Sequence, residues 1–261
     1  MKTFQKLIPL IFISLIFLFN GCEKKEIDTS TDSAESNAQA MEQVISTYSE
    51  IQNIGIDEIG IHKLSENACY TLTIDTSANY YPVTATVDFG TTGCASADGK
   101  IRKGKVTFTM SGNWETTGTE VALTYGDDFY IGSSANSMVK TTGTLAIKNL
   151  GNKNYELTAK NVKIYTEPIV EWEANLTFDL STPRIIKVTG TTQGSDKTGN
   201  RYSTAITSAI VKALDCRWIQ SGIIEITPTG KDVRVINFGS GTCDNKANIT
   251  VGSVSVDFEM N

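Results

Sequence analysis

Beyond Ala68 the apolar residues of this chain return at every second position, and no other feature restricts its fold so tightly. Val170, Trp172, Ala174, Leu176, Phe178 and Leu180 alternate with Glu171, Glu173, Asn175, Thr177 and Asp179. Tyr70, Leu72 and Ile74 follow the same rule, as do Val83, Ala85, Val87 and Phe89, and Val254, Val256, Phe258 and Met260 near the carboxyl end. Successive side chains on a strand point to opposite faces, so this alternation makes strands with one wet and one buried side. Parallel strands, covered on both sides, read instead as continuous apolar runs. The expectation is an all-β chain, an antiparallel meander of about a dozen strands in a sandwich or an open barrel.

One stretch breaks the rule. Met41, Val44, Ile45, Tyr48 and Ile51 recur in steps of three and four, which predicts a short amphipathic helix between about Ser36 and Ile54. Residues 22–37, ahead of it, are dominated by charged, Ser, Thr and Asn side chains and carry little to bury, so they read as a flexible tether. Residues 38–261 then form one β domain large enough for a substantial core.

That domain contains an internal repeat. Cys69 is followed by Asp88-Phe89-Gly90-Thr91-Thr92-Gly93-Cys94 and then by Asp98-Gly99-Lys100. Cys216 is followed by Asn237-Phe238-Gly239-Ser240-Gly241-Thr242-Cys243 and then by Asp244-Asn245-Lys246. Each half reads as a hairpin between two cysteines, a Phe-Gly turn and an alternating strand, so the domain is built from two related units. Gly90 and Gly239 suit a backbone turn with positive φ.

The amino terminus is of another kind. Lys2 and Lys6 precede an apolar run from Leu7 to Phe19, about 20 Å long as a helix and too short for a bilayer core of about 30 Å. A short apolar run behind positive charge is the pattern of a secretory signal, here residues 1–21. Leu18-Phe19-Asn20-Gly21-Cys22 resembles the lipobox of bacterial lipoproteins. That resemblance implies cleavage before Cys22, acylation of its thiol, and a lipid bilayer as the first partner.

The body resembles a family of Bacteroidetes lipoproteins with repeated Phe-Gly-x-x-x-Cys turns. The residues that carry the likeness are Asp98-Gly99-Lys100-Ile101-Arg102-Lys103-Gly104-Lys105, Cys216-Arg217-Trp218 with Gly222, and Phe238 to Asn245. The likeness implies an envelope location, in the outer membrane on its periplasmic side or at the cell surface, and an all-β fold. It implies no activity.

The remaining four cysteines allow three pairings, and the repeat favours Cys69–Cys94 with Cys216–Cys243. Outside the cytosol such bridges persist. A zinc site is disfavoured because no two cysteines lie close in sequence and His62 is the single histidine. No metal or other cofactor is expected. With 23 basic against 29 acidic residues and a net charge of −6, the chain lacks the basic face that nucleic acid requires. Candidate ligand contacts are Trp114, Tyr80 and Tyr81, as aromatic residues near turns, and Arg102 and Lys103 in the one basic cluster. No catalytic constellation stands out. The expected function is a non-catalytic binding or scaffold module meeting a glycan or an envelope protein. A glycan-active enzyme and a carrier of an apolar ligand are the alternatives.

Overall fold

The computed structural model describes residues 30–51, 69–76, 81–96, 99–213, 215–216 and 218–259. It contains one helix, α1 (Asp32–Ile51), and sixteen strands. In chain order these are β1 (Thr71–Thr76), β2 (Val83–Asp88), β3 (Cys94–Ala95), β4 (Ile101–Lys103), β5 (Lys105–Met110), β6 (Glu120–Tyr125), β7 (Tyr130–Gly132) and β8 (Val139–Gly151). The second half adds β9 (Asn154–Ile164), β10 (Val170–Asp179), β11 (Ile185–Ser195), β12 (Arg201–Ala213), β13 (Ser221–Pro228), β14 (Arg234–Ser240), β15 (Lys246–Val251) and β16 (Val254–Glu259). All belong to one open antiparallel sheet in the order β1-β2-β5-β6-β8-β9-β10-β11-β12-β13-β14-β15-β16. The three short strands β3, β4 and β7 form a side branch that rejoins at β8. These short pieces account for the excess over a dozen, since two or three residues are too few to show a period.

The alternation works as its chemistry demands. Burial along β2, β6 and most of β10 switches at every residue, and the inward side chains form one core. Outward threonines pair across strands, Thr84 with Thr109 at 3.0 Å and Thr86 with Thr107 at 3.1 Å. Such pairs add a few tenths of a kcal/mol each and explain why the wet face is rich in threonine. Register shifts interrupt five of the six pairings from β8–β9 to β13–β14, with β10–β11 regular. A bulge bends its strand and increases local twist, so these shifts curve the sheet across its long central strands.

Connections of a meander fall alternately on two rims. Residues 133–138, 165–169, 196–200, 229–233 and 252–253 lie on one rim, and residues 152–153, 180–184 and 241–245 on the other. Helix α1 starts at the first rim, where Arg234 Nε donates to the Ser30 carbonyl at 3.0 Å.

The helix begins at Asp32, inside the segment read from sequence as tether. Asp32 and Glu35 in its first turn suit the positive end of the helix dipole, and both meet Lys197 Nζ, at 3.1 and 2.7 Å. The face turned to the sheet also differs from expectation. Ser33, Ser36, Asn37, Ala40, Gln43, Val44 and Thr47 are buried, and Met41 and Ile45 sit beside them half-buried. A largely polar stripe, not the apolar one, makes the contact.

The repeat is visible as a fold unit. Cys69 and Cys94 are bridged at the open end of the β1–β2 hairpin, and Cys216 and Cys243 at the open end of β13–β14. Each hairpin takes a third strand on the same side, β5 in one and β15 in the other. The turns match atom for atom: Gly90 N donates to Asp88 Oδ1 at 2.8 Å, and Gly239 N donates to Asn237 Oδ1 at 2.9 Å. Both glycines have positive φ, 72° and 88°, which other residues adopt at a cost. Phe89 is fully buried whereas Phe238 is half-buried, so the two units are equivalent in backbone and not in packing. Replacing either cysteine pair with Ala should lower stability by about 2–5 kcal/mol, read by urea unfolding. Variants as stable as the parent would show that the bridges do not constrain the chain.

Candidate binding surfaces

Helix α1 lies on the inner face of the sheet, against β10, β11 and β13. Asn37 Oδ1 accepts from Trp172 Nε1 at 2.8 Å and from Thr192 Oγ1 at 2.6 Å. Farther along, Thr141 Oγ1 donates to Gln43 Oε1 at 3.3 Å, and the Arg102 guanidinium donates to Ser46 Oγ at 2.6 Å. Each buried polar group named here has a partner, which burial requires. The helix is thus keyed to the sheet by geometry as well as by its apolar residues Ala40 and Val44.

Asp196 fixes the start of the helix. It accepts from Ser33 Oγ at 2.9 Å, from Thr198 Oγ1 at 2.6 Å, and from the Thr198 and Asn200 amides at 2.9 Å each. Burial works to raise its pKa, but the hydrogen bonds outweigh it and hold the carboxyl below the usual range. A depressed folded-state pKa stabilises the protein above the ordinary aspartate range. That stability is lost as the pH falls through the lowered value.

The proposed ligand contacts do not form one site. Arg102 is fully buried beneath α1, so its chemistry is structural and no external ligand reaches it. Lys103, its neighbour on the opposite face, lies over the Tyr130 ring at 4.2 Å. Trp114 stacks on Tyr155 with centroids 5.4 Å apart, and Asn149 Nδ2 donates to its carbonyl at 2.7 Å. It is half-buried against the core, and an anchor for the 111–119 loop in this position has one ring face already taken. Tyr81 packs half-buried against the same core. Tyr80, His62 and Cys22 lie outside the described residues. Trp172 is completely buried, while Trp218 is half-buried in the connection from β12 to β13. Among the described residues no three His, Cys, Asp or Glu side chains gather closely enough to hold a metal ion.

A surface that sequence reasoning missed lies on the outer face of β9–β13. One groove of about 400 Å³ runs past Lys163, Glu171, Gln193 and Arg201, and a second of about 510 Å³ past Lys160, Asn175, Ser203 and Glu225. Glu173 and Gln193 line both, so the two are continuous. Glu171 pairs with Lys163 at 3.2 Å and with Arg201 at 2.9 Å, and Gln193 Nε2 donates to Glu173 at 2.7 Å. The Lys163 hydrogen bond is the main reason that the Glu171 pKa is lowered, with Arg201 adding to it. A general acid in sugar hydrolysis needs a carboxyl shifted upward. Glu171 is shifted the other way and serves as a fixed charge and hydrogen-bond acceptor. The signal for this surface was present as the outward half of each alternation, but only the register brings those positions together.

No protein-family model, no curated protein and no solved structure matches the chain.

Proposed function

We propose that the protein is a lipid-anchored envelope lipoprotein whose body is a non-catalytic binding module, taking a hydroxyl-rich ligand such as a glycan in the outer groove. Gly21-Cys22 behind a short apolar run supports the anchor, and the resemblance of the body to Bacteroidetes lipoproteins supports the envelope location. The observation that carries the binding reading is the occupied inner face. With Asn37, Gln43 and Ser46 bonded into the sheet, α1 occupies the place on the inner face that an apolar ligand would need, and among the described residues the outer groove offers a concave surface lined by polar side chains. Its Glu173, Gln193, Asn175, Thr191, Ser203 and Thr227 side chains offer donors and acceptors in the density that sugar hydroxyls require.

A glycan array probed with the mature protein, followed by calorimetry on the best binder, tests this reading. Glu173→Ala with Gln193→Ala should weaken binding at least about tenfold, since two hydrogen bonds of about 1 kcal/mol are lost. Binding that survives the double substitution would move the ligand elsewhere. Hydrolysis of a bound glycan would favour the enzyme reading instead.

A further inference from the structure

The rim where α1 begins carries a row of side chains unlike the rest of the surface. Lys103 pairs with Tyr130 across β4 and β7, Tyr130 pairs with Lys140 across β7 and β8, and the Tyr165 amide donates to the Lys140 carbonyl. Lys and Tyr therefore alternate over four neighbouring chain segments. Each ammonium is held by a ring, Lys103 over Tyr130 at 4.2 Å and Lys140 over Tyr165 at 5.1 Å. Neither has a carboxylate within ion-pair distance among the described residues, unlike Lys163, Lys187 and Lys197. Beyond them the rim loops expose apolar side chains: Tyr165, Ile169, Val233 and Val254 are between 37% and 43% exposed. Glu167 and Asp232 share these loops, and Asp127 and Asp128 lie in the β6–β7 connection on the same rim, so the two ring-held lysines are local cationic spots rather than parts of a basic face. Cation, tyrosine and exposed aliphatic together are the composition of a bilayer interface.

Chain length places this rim next to the anchor. Ser30 is fixed at the rim by Arg234, and Cys22 lies eight residues before it. Eight residues span at most about 28 Å fully extended. The rim that the tether enters is also the one that carries the Lys–Tyr row. The opposite rim exposes Leu150 and Leu180 without such a row.

We propose that this rim lies on the leaflet that holds the anchor, with Tyr165, Ile169 and Val233 at the bilayer surface and Lys103 and Lys140 facing headgroup phosphates. The proposal rests on acylation of Cys22. It fixes the orientation of the body, and it leaves the groove on β9–β13 along the side of the molecule, open to ligands from the aqueous phase.

The test uses the full acylated protein in vesicles of phosphatidylcholine and phosphatidylglycerol, with tryptophan reporters at two exposed positions. Ile169→Trp should shift to shorter wavelength and be quenched by brominated phosphatidylcholine beyond the wild-type background. Leu180→Trp, on the opposite rim, should not. Adding Lys103→Gln and Lys140→Gln to the Ile169→Trp protein should shift the docking equilibrium about 25-fold toward the undocked state, read as lost quenching. An acylated Ile169→Trp protein without extra quenching, or equal quenching at Leu180→Trp, overturns the docking. A wild-type protein without acyl chains overturns the anchor itself, so the two failures are told apart.

Discussion

Substituting Ser for Cys22 is expected to move the protein from the membrane fraction to the soluble fraction and to abolish acyl labelling. The effect should be close to complete. Each buried methylene of an acyl chain contributes about 0.8 kcal/mol, so two chains hold far more firmly than the rim can. The rim offers a few apolar side chains and two lysines, enough to orient a tethered body and too little to retain a free one. Unchanged membrane partitioning of the Cys22→Ser protein would refute the proposed anchoring, and would direct attention to the uncleaved apolar segment from Leu7 to Phe19.

The second large effect is expected at Trp172, the largest completely buried side chain. Its ring fills the space between β10 and α1, and its indole nitrogen donates to Asn37. Trp172→Ala should lower the unfolding free energy by about 3–5 kcal/mol. Trp172→Phe is the informative companion. It keeps most of the packing but takes one donor from Asn37, so it should cost about 1–3 kcal/mol. Far-UV circular dichroism and urea unfolding on the same samples separate a weakened fold from a lost one. A Trp172→Ala protein as stable as the parent would mean that the helix and sheet are not packed as described.

Period two was enough to read the strands, because each inward residue of the sheet gains from burial independently of its partners. The cysteine repeat was equally legible, since the hairpin, the Asx turn and the glycine that follows it are all local in sequence. Three features were not. Asp32 to Asn37 read as tether because their side chains are polar, and what orders them is a set of contacts to Asp196, Lys197 and Trp172, more than a hundred residues away. Arg102 read as surface charge because its neighbours are basic, yet strand parity turns it inward while Lys103 and Lys105 stay outside. The outer groove draws on five strands, and its residues become neighbours only through a register that bulges shift at five pairings.

Helix α1 is a permanent filling of the sheet rather than a lid over a ligand cavity. Amide hydrogen exchange of the mature protein measures this directly. With Asn37, Gln43 and Ser46 bonded to Trp172, Thr141 and Arg102, the amides from Ala40 to Thr47 should exchange as slowly as those of β8–β10, through global unfolding alone. Exchange in α1 a hundredfold or more faster than in β8–β10, together with uptake of an apolar dye, would show that the helix opens by itself, and would contradict the account in favour of a carrier.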